Sequence, residues 1–394
     1  MKIIIRNCNV AELDIPLKYA TKLYNEFAIR HPNAFYLRTR QRGMQNWDGK
    51  IKYITKTGQF KIGLLPSVYK RCIELGIKPI IVDMRQPLPK VSKVVTQIGK
   101  YKLRPEQEKA VKAILSNKLG ETSFQIGVLD YTVNAGKTLI MSALYLSYKK
   151  QLKTLLITND SDWLNQARDE FKQYLPGEDI TFVQGKVLNW SNFTIGMVQS
   201  ISRNMKYYQN ELAKIDMVLI DEADQGGSKQ YQNVITRLFN TRVRIGLSGT
   251  IYMSKLAKDK VKNMNLRCFF GDVIAEFKLK DSIKKGYSTK TIVKTVEGKP
   301  WFGNWESDCM SYNEIYDDSI THNKIAWTMA LDRLKWNLNQ GRYPALVVCK
   351  HIAHCENLCK FFKKKLDNKY NIACVHVNTP TKLRQQIMKD FREG

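Results

Sequence analysis

From about residue 96 onward the chain alternates short, continuous apolar runs with longer amphipathic stretches. The runs Thr154–Ile157, Phe193–Val198, Met217–Ile220 and Val243–Leu247 lack the every-second-residue polarity of a strand with one wet face. They therefore read as strands covered on both sides, with helices between them. That rhythm predicts an α/β fold, a mostly parallel sheet with helices on both faces, across residues 96–288. A second α/β pattern covers 289–394, with strands expected at Ala345–Cys349 and Ile372–Val377 and a helix following His351. Each apolar run of the first pattern ends in a polar motif, and open α/β sheets place ligands beyond the carboxyl ends of their strands.

Residues 1–95 follow a different pattern and predict a small α+β domain. Phe35–Arg40 and Ile51–Ile54 alternate apolar with basic or polar positions and read as a hairpin turning near Asp48-Gly49. A second turn is expected at Thr57-Gly58, a helix from Pro66 ending before Gly76, and a short strand at Ile80–Val82. Pro87 and Pro89 mark a linker.

Composition narrows the partners. The 394 residues hold 43% hydrophobic side chains, enough for about two to three domains at ~150 residues each. Lysine and arginine number 64 against 36 acids, leaving +28, and the first hundred residues alone hold 19 basic side chains and 6 acidic ones. A polyanionic partner accounts for such an excess better than fold stability does. No apolar stretch approaches the ~20 residues needed to span a bilayer, and the start lacks a secretory signal, so a cytoplasmic protein is expected. The eight cysteines form no Cys-x-x-Cys pair. His351, His354, Cys355 and Cys359 share one helix, yet Cys355, Leu358, Cys359 and Phe362 read as its packed face, and no structural zinc is expected.

Three motifs carry the chemistry. Thr132-Val133-Asn134-Ala135-Gly136-Lys137-Thr138 opens an apolar helix; its backbone N–H groups and the Lys137 ammonium suit ATP phosphates, with Thr138 offering a hydroxyl to Mg²⁺. Asp221-Glu222-Ala223-Asp224 ends a buried strand, where Asp221 is expected to hold the metal and Glu222 to polarise the attacking water. Asp224 reads as an orienting residue. Ser248-Gly249-Thr250 ends the next strand and completes the nucleotide set with Ser248 and Thr250. Upstream, Arg104 and Gln107 open a helix, and Gln107 reads equally as an adenine contact or as a cap. Trp163, Arg168, Gln199, Ser200 and Arg203 are candidates for nucleic-acid contact or for ordinary packing.

In this order and spacing the motifs resemble those of superfamily 2 DEAD/H-type helicases. Asn46-Trp47-Asp48-Gly49-Lys50-Ile51 and Ile62-Gly63-Leu64-Leu65-Pro66 resemble the accessory domain of UvsW-type bacteriophage branched-DNA helicases. That resemblance implies two RecA-like domains and action on forks, Holliday junctions and R-loops in recombination and repair, with RNA–DNA hybrids among the partners. It places Gln107 in the Q motif, Lys137 and Thr138 in motif I, Asp221–Asp224 in motif II, Ser248–Thr250 in motif III and Val347–His351 near motif IV. It assigns DNA contact to Trp47 and its basic neighbours Arg38, Arg40, Arg42, Lys50 and Lys52, although hairpin core explains Trp47 as well. The chain stops at Asp390–Gly394, before motifs V and VI, so a shortened version of a longer helicase with impaired turnover is expected. Another superfamily 2 motor, such as an RNA helicase or restriction-complex translocase, and a non-catalytic nucleic-acid-binding scaffold remain open as alternatives.

Overall fold

In a computed structural model of the chain, residues 1–40, 44–91, 93–185, 187–252, 257–291, 293, 295, 311–366 and 369–393 are described. They divide into two compact units, Met1–Lys290 and Thr291–Gly394. The first begins with β1 (Lys2–Ile5), β2 (Val10–Asp14), α1 (Leu17–Glu26), β3 (Ala28–Arg30) and α2 (Ala34–Arg40). β4 (Lys50–Lys52), β5 (Gln59–Lys61), α3 (Leu65–Glu74) and β6 (Ile80–Asp83) follow. Four strands form a sheet in the order β5-β2-β1-β6, with β6 parallel to β1.

The expected hairpin between 35–40 and 51–54 does not form. Residues 34–40 are helical, and β4 pairs instead with β3, Ile51 opposite Ile29. The alternation there has no buried face to serve, since Phe35 is 80% exposed and Tyr36 53%. Without a core to pack against, local bonding decides, including the Thr39 hydroxyl donating to the Phe35 carbonyl at 3.1 Å. The turn at Gly58 forms with φ +81°, and α3 ends before Gly76 at φ +77°.

Two small ladders, β7 (Gln97–Ile98) with β8 (Tyr101–Lys102) and β9 (Lys118–Leu119) with β10 (Thr122–Ser123), flank α4 (Pro105–Leu115). The main sheet then uses β11 (Ile126–Tyr131), β12 (Thr154–Thr158), β13 (Ile180–Gln184), β14 (Val187–Leu188), β15 (Phe193–Met197), β16 (Met217–Asp221), β17 (Val243–Ser248) and β18 (Val273–Phe277). Their order is β14-β13-β15-β12-β16-β17-β11-β18, and every pairing is parallel except β13 with β14. Interleaved are α5 (Lys137–Ser147), α6 (Ser161–Tyr174), α7 (Val198–Arg203), α8 (Met205–Ala213), α9 (Lys229–Ile235), α10 (Ala257–Phe270) and α11 (Leu279–Lys284). β11, β12, β16 and β17 are buried at every position, as their unbroken apolar runs require.

The second unit contains α12 (Tyr312–Tyr316), α13 (Lys324–Asn339), α14 (Ile352–Lys365) and α15 (Thr381–Glu393). Asn323 caps α13, its side-chain oxygen accepting from the backbone of Ile325 and Ala326 at 3.0 Å each. Leu331, Leu358, Phe362 and Leu366 make its core. The strands expected at 345–349 and 372–377 do not form: both stretches lie outside any ladder, and Leu346, Val348 and Val377 are 76–82% exposed. An apolar run becomes a strand only where a neighbour takes up its backbone groups, and among the described residues neither run joins a ladder. Leu358 and Phe362 face inward on α14 as expected, Cys355 and Cys359 are half-buried, and His354 stacks on Trp327. Among the described residues no helix is long and apolar enough to cross a membrane.

Residues 1–95 share one hydrophobic core with the main sheet: Ile3, Ile5, Leu64 and Leu65 belong to the same cluster as Ile126, Val128, Val218 and Ile220. At Gly63 the backbones almost touch, because a Cβ there would lie 2.1 Å from the Arg267 carbonyl oxygen. Gly63→Ala is accordingly expected to destabilise the first unit by about 2–3 kcal/mol through overpacking. Thermal unfolding checks this, and an unchanged midpoint would show that α10 yields freely.

Candidate functional site: a nucleotide pocket at the carboxyl edge of the sheet

β11 ends at Tyr131 and the chain turns through Thr132–Gly136 into α5. Two residues of the turn adopt left-handed backbone, Asn134 at φ +65° and Gly136 at φ +70°. Asparagine tolerates that conformation, and glycine adopts it freely. Gly136 is required for a second reason: a Cβ would lie 2.4 Å from the Gln107 side-chain nitrogen and 3.3 Å from Arg104 Nη2. These two side chains grip the turn from behind. Gln107 Nε2 donates to the Ala135 carbonyl at 2.9 Å, and Arg104 Nη2 donates to the Asn134 carbonyl at 3.0 Å. The other end of the Gln107 amide accepts the Arg104 backbone N–H at 2.8 Å, so Gln107, 3% exposed, caps α4 and braces the loop at once. With the Asn134 and Ala135 carbonyls occupied by these donors, the turn is fixed where it enters the amino end of α5, a position that favours an anion.

The acids emerge from the adjacent edge. Asp221 closes β16, is 5% exposed, and has Oδ1 3.9 Å from Lys137 Nζ. That oxygen is buried without a hydrogen-bond partner. A buried carboxylate oxygen left unmatched fits a hard cation that takes oxygen ligands, and Thr138, half-buried in the first turn of α5, adds a hydroxyl of the same kind. Glu222 takes left-handed backbone at φ +52°, a strained conformation for a glutamate, and opens toward solvent. Partial burial raises its carboxyl pKa; Lys137 opposes this and Asp221 reinforces it. Asp224 accepts a hydrogen bond from Ser248 Oγ at 3.0 Å, and Ser248 in turn meets the Thr250 backbone N–H at 3.2 Å. A Cβ on Gly249 would press to 3.2 Å on Thr132 Cα and on the Tyr131 carbonyl oxygen, so the third motif lies directly on the base of the phosphate loop.

Val133 at the tip of the loop is 70% exposed while Ala135 is fully buried. Three contributors went unread in the sequence. The Tyr131 hydroxyl donates to the Glu106 carbonyl at 2.8 Å, Lys285 pairs with Glu106 at 2.8 Å, and the Arg104 guanidinium lies 4.3 Å over the Tyr287 ring. Lys285 and Tyr287 stand about 180 positions from the helix they support, and no local pattern announces such a contact.

The nucleic-acid candidates stand on several separate elements. Arg38 and Arg40 are exposed on α2, Arg40 over the Tyr36 ring at 4.9 Å, and Lys50 is exposed on β4. Lys52 is mostly covered, paired with Asp48 at 3.2 Å and seated on the Tyr24 ring. Trp47 is half-buried, edge-on to His31, with its indole N–H donating to the Lys50 carbonyl at 3.0 Å. Arg42 lies outside the described residues. Gln199 donates to the Asn159 carbonyl at 3.3 Å, Ser200 Oγ accepts the Gly185 N–H at 3.0 Å, and Arg203 is exposed at the end of α7. Trp163 packs on the main core, and the Arg168 guanidinium lies 5.1 Å over Phe182.

A parallel sheet with a phosphate loop, an acid pair and a serine–threonine motif at its carboxyl edge defines a nucleotide-driven motor. The family described as Type III restriction enzyme, res subunit, matches residues 100–253, and the helicase conserved C-terminal domain matches residues 328–394. Together with the similarity to curated helicases, these matches support an ATP-dependent helicase.

Within that class its similarity is to the UvsW type. It is 23% identical over 378 residues to the ATP-dependent DNA helicase UvsW of Enterobacteria phage T4, covering 89% of this chain and 70% of that protein. A crystal structure of bacteriophage T4 UvsW spans all of this chain and 78% of its own at TM-score 0.55 and 20% identity. Another UvsW crystal structure is matched over its whole length and 70% of this chain, again at TM-score 0.55 with 21% identity. A putative ATP-dependent RNA helicase of Acanthamoeba polyphaga mimivirus is 26% identical over 147 residues, 37% of this chain and 27% of that one.

Burial raises the Asp221 carboxyl above the ordinary range, with Lys137 acting against it. Such a carboxyl binds its proton more tightly folded than unfolded, so the folded state loses stability as pH rises through the raised range. Asp221→Asn is expected to raise the thermal midpoint of the nucleotide-free protein at pH 7, with the gain shrinking as pH falls toward about 4. Unfolding scans across that interval check it; a gain that grew on acidification would contradict burial as the cause.

Proposed function

We propose that the protein is an ATP-driven translocase that remodels branched DNA, and that Mg²⁺ joins the nucleotide to the acids. The observation that carries this reading is the orphaned Asp221 oxygen beside Lys137, at the amino end of the helix that follows the loop. Lys137 would neutralise phosphate charge, Thr138 and Asp221 would hold the metal, and Glu222, open to solvent and above its ordinary pKa, would orient and polarise the attacking water. Bound Mg²⁺ would supply charge neutralisation between the phosphates. Ser248 ties Asp224 to the strand that carries the third motif, giving the acids and that motif a shared hydrogen bond through which nucleotide state can reach the rest of the chain. Branched DNA as substrate, in phage recombination, replication and repair within the host-cell cytoplasm, rests on the resemblance to UvsW-type helicases. The excess of +28 supports a polyanion without choosing its shape. The restriction-subunit match favours a second reading, a restriction-complex translocase.

Lys137→Ala is expected to weaken ATP binding at least tenfold, whereas Glu222→Gln keeps binding and slows hydrolysis by about 10²-fold or more. Nucleotide titration beside single-turnover hydrolysis separates the two, and unaltered turnover in Glu222→Gln removes that residue from the chemistry. ATPase stimulation is expected to rank forked DNA above linear duplex and RNA. Charge reversal at Arg38, Arg40 and Lys50 should flatten the dependence of log K on log salt by about 0.9 for each phosphate that is no longer neutralised; an unchanged slope would take α2 and β4 out of the DNA interface.

A further inference from the structure

A second polar site lies at the opposite edge of the main sheet. A cavity of about 620 Å³ opens where the amino ends of β12, β16 and β17 meet the loops after β1 and β6, lined among others by Arg6, Cys8, Arg85, Gln151, Asp216 and Arg242. Leu152, Asp216 and Arg242 all stand just before their strands, whereas the phosphate loop follows the carboxyl end of β11. The nucleotide pocket therefore does not explain this cavity.

Its charge is unbalanced. Arg85, whose side chain is 1% exposed, forks onto Asp83 at 2.8 and 2.9 Å, and Arg242 shares the same carboxylate at 3.4 Å while donating to the Gln86 carbonyl at 2.6 Å. Arg244, fully buried behind Cys8, donates to the carbonyls of Cys8 and Phe269 and to Asn9 Oδ1, with no carboxylate. Asp83 thus serves two guanidiniums, with a third close behind. Asp216, the other acid of the lining, is engaged by the Lys153 backbone N–H at 3.0 Å. Arg6 is taken by Glu12 at 2.9 Å. Arg85 Nη1, Arg242 Nε and Arg244 Nε remain buried without acceptors. Buried guanidinium groups are held by matching anions, and a planar fork bonds bidentately to carboxylate and phosphate oxygens alike.

We infer that this cavity is a phosphate-binding site, completed by a phosphate oxyanion seated against Arg85 and Arg242. Its volume lies within the range of small-molecule sites. The phosphate could come from a DNA backbone or from a free small molecule, and the two sources share one recognition chemistry.

The test is isothermal titration of the full chain with inorganic phosphate, the nucleotide pocket filled with ADP and chloride adjusted to hold ionic strength constant. One saturable site per chain is expected. Arg242→Gln should weaken it about tenfold or more, and Gln151→Glu, which places a carboxylate on the exposed rim, should weaken it in the same direction. Gln151→Glu guards against misfolding, since ADP affinity and the thermal midpoint should not change. Absence of saturable binding, or equal affinity in both variants and the parent, overturns the site. Adding a short single-stranded oligodeoxynucleotide identifies the source: displacement of phosphate assigns the cavity to a backbone phosphate, and undiminished binding assigns it to a free one.

Discussion

The contact on which the pocket depends is the one between the Gln107 amide and the backbone at Ala135 and Gly136. A phosphate loop works only if its N–H groups face outward together, and a short turn does not hold that arrangement by itself. Here Arg104 and Gln107 hold the Asn134 and Ala135 carbonyls, which fixes the turn ahead of α5. The arrangement leaves no room for a side chain at position 136, and the left-handed φ there points to the same residue independently. Two unrelated demands, space and backbone conformation, converge on one glycine.

A parallel sheet has two unlike edges, and this chain uses both. The carboxyl edge gathers Lys137, Asp221, Glu222 and Ser248, brought together from separate stretches only because β11, β16 and β17 run side by side. The amino edge is capped by the N-terminal segment, through apolar packing and through arginines that reach across to its carbonyls. Position 244 lies in the same strand that ends in Ser248, so the two edges are joined along one rigid element. Burial pushes the Arg244 pKa down to about 10, the direction expected for a cation held in the interior.

Where the chain's pattern and its structure agree, the cause is burial. The runs 154–157, 217–220 and 243–247 are apolar at nearly every position because both faces of the central strands are covered, and such runs read directly as strands. The phosphate loop and the acid pair were legible because their chemistry is local. The failures have the opposite cause. Residues 35–40 alternate as a strand would, but no sheet lies beside them, and 345–349 and 372–377 are apolar without a neighbour to pair with. Gln107 was readable only as far as its two options; that it both caps α4 and holds the loop depends on a partner 28 residues away. Lys285, Tyr287 and the arginines at 85, 242 and 244 act over still longer separations, and nothing in a linear pattern encodes those meetings.

Arg244 has a consequence for how this molecule can be taken apart. Two of its three acceptors, the Cys8 carbonyl and Asn9 Oδ1, belong to the first nine residues. Cleaving away the leading segment would therefore not liberate a tidy motor core; it would strand a cation inside a central strand with a single carbonyl for company. The amino-terminal piece is better regarded as a keystone of the ATPase than as an attachment bolted to it.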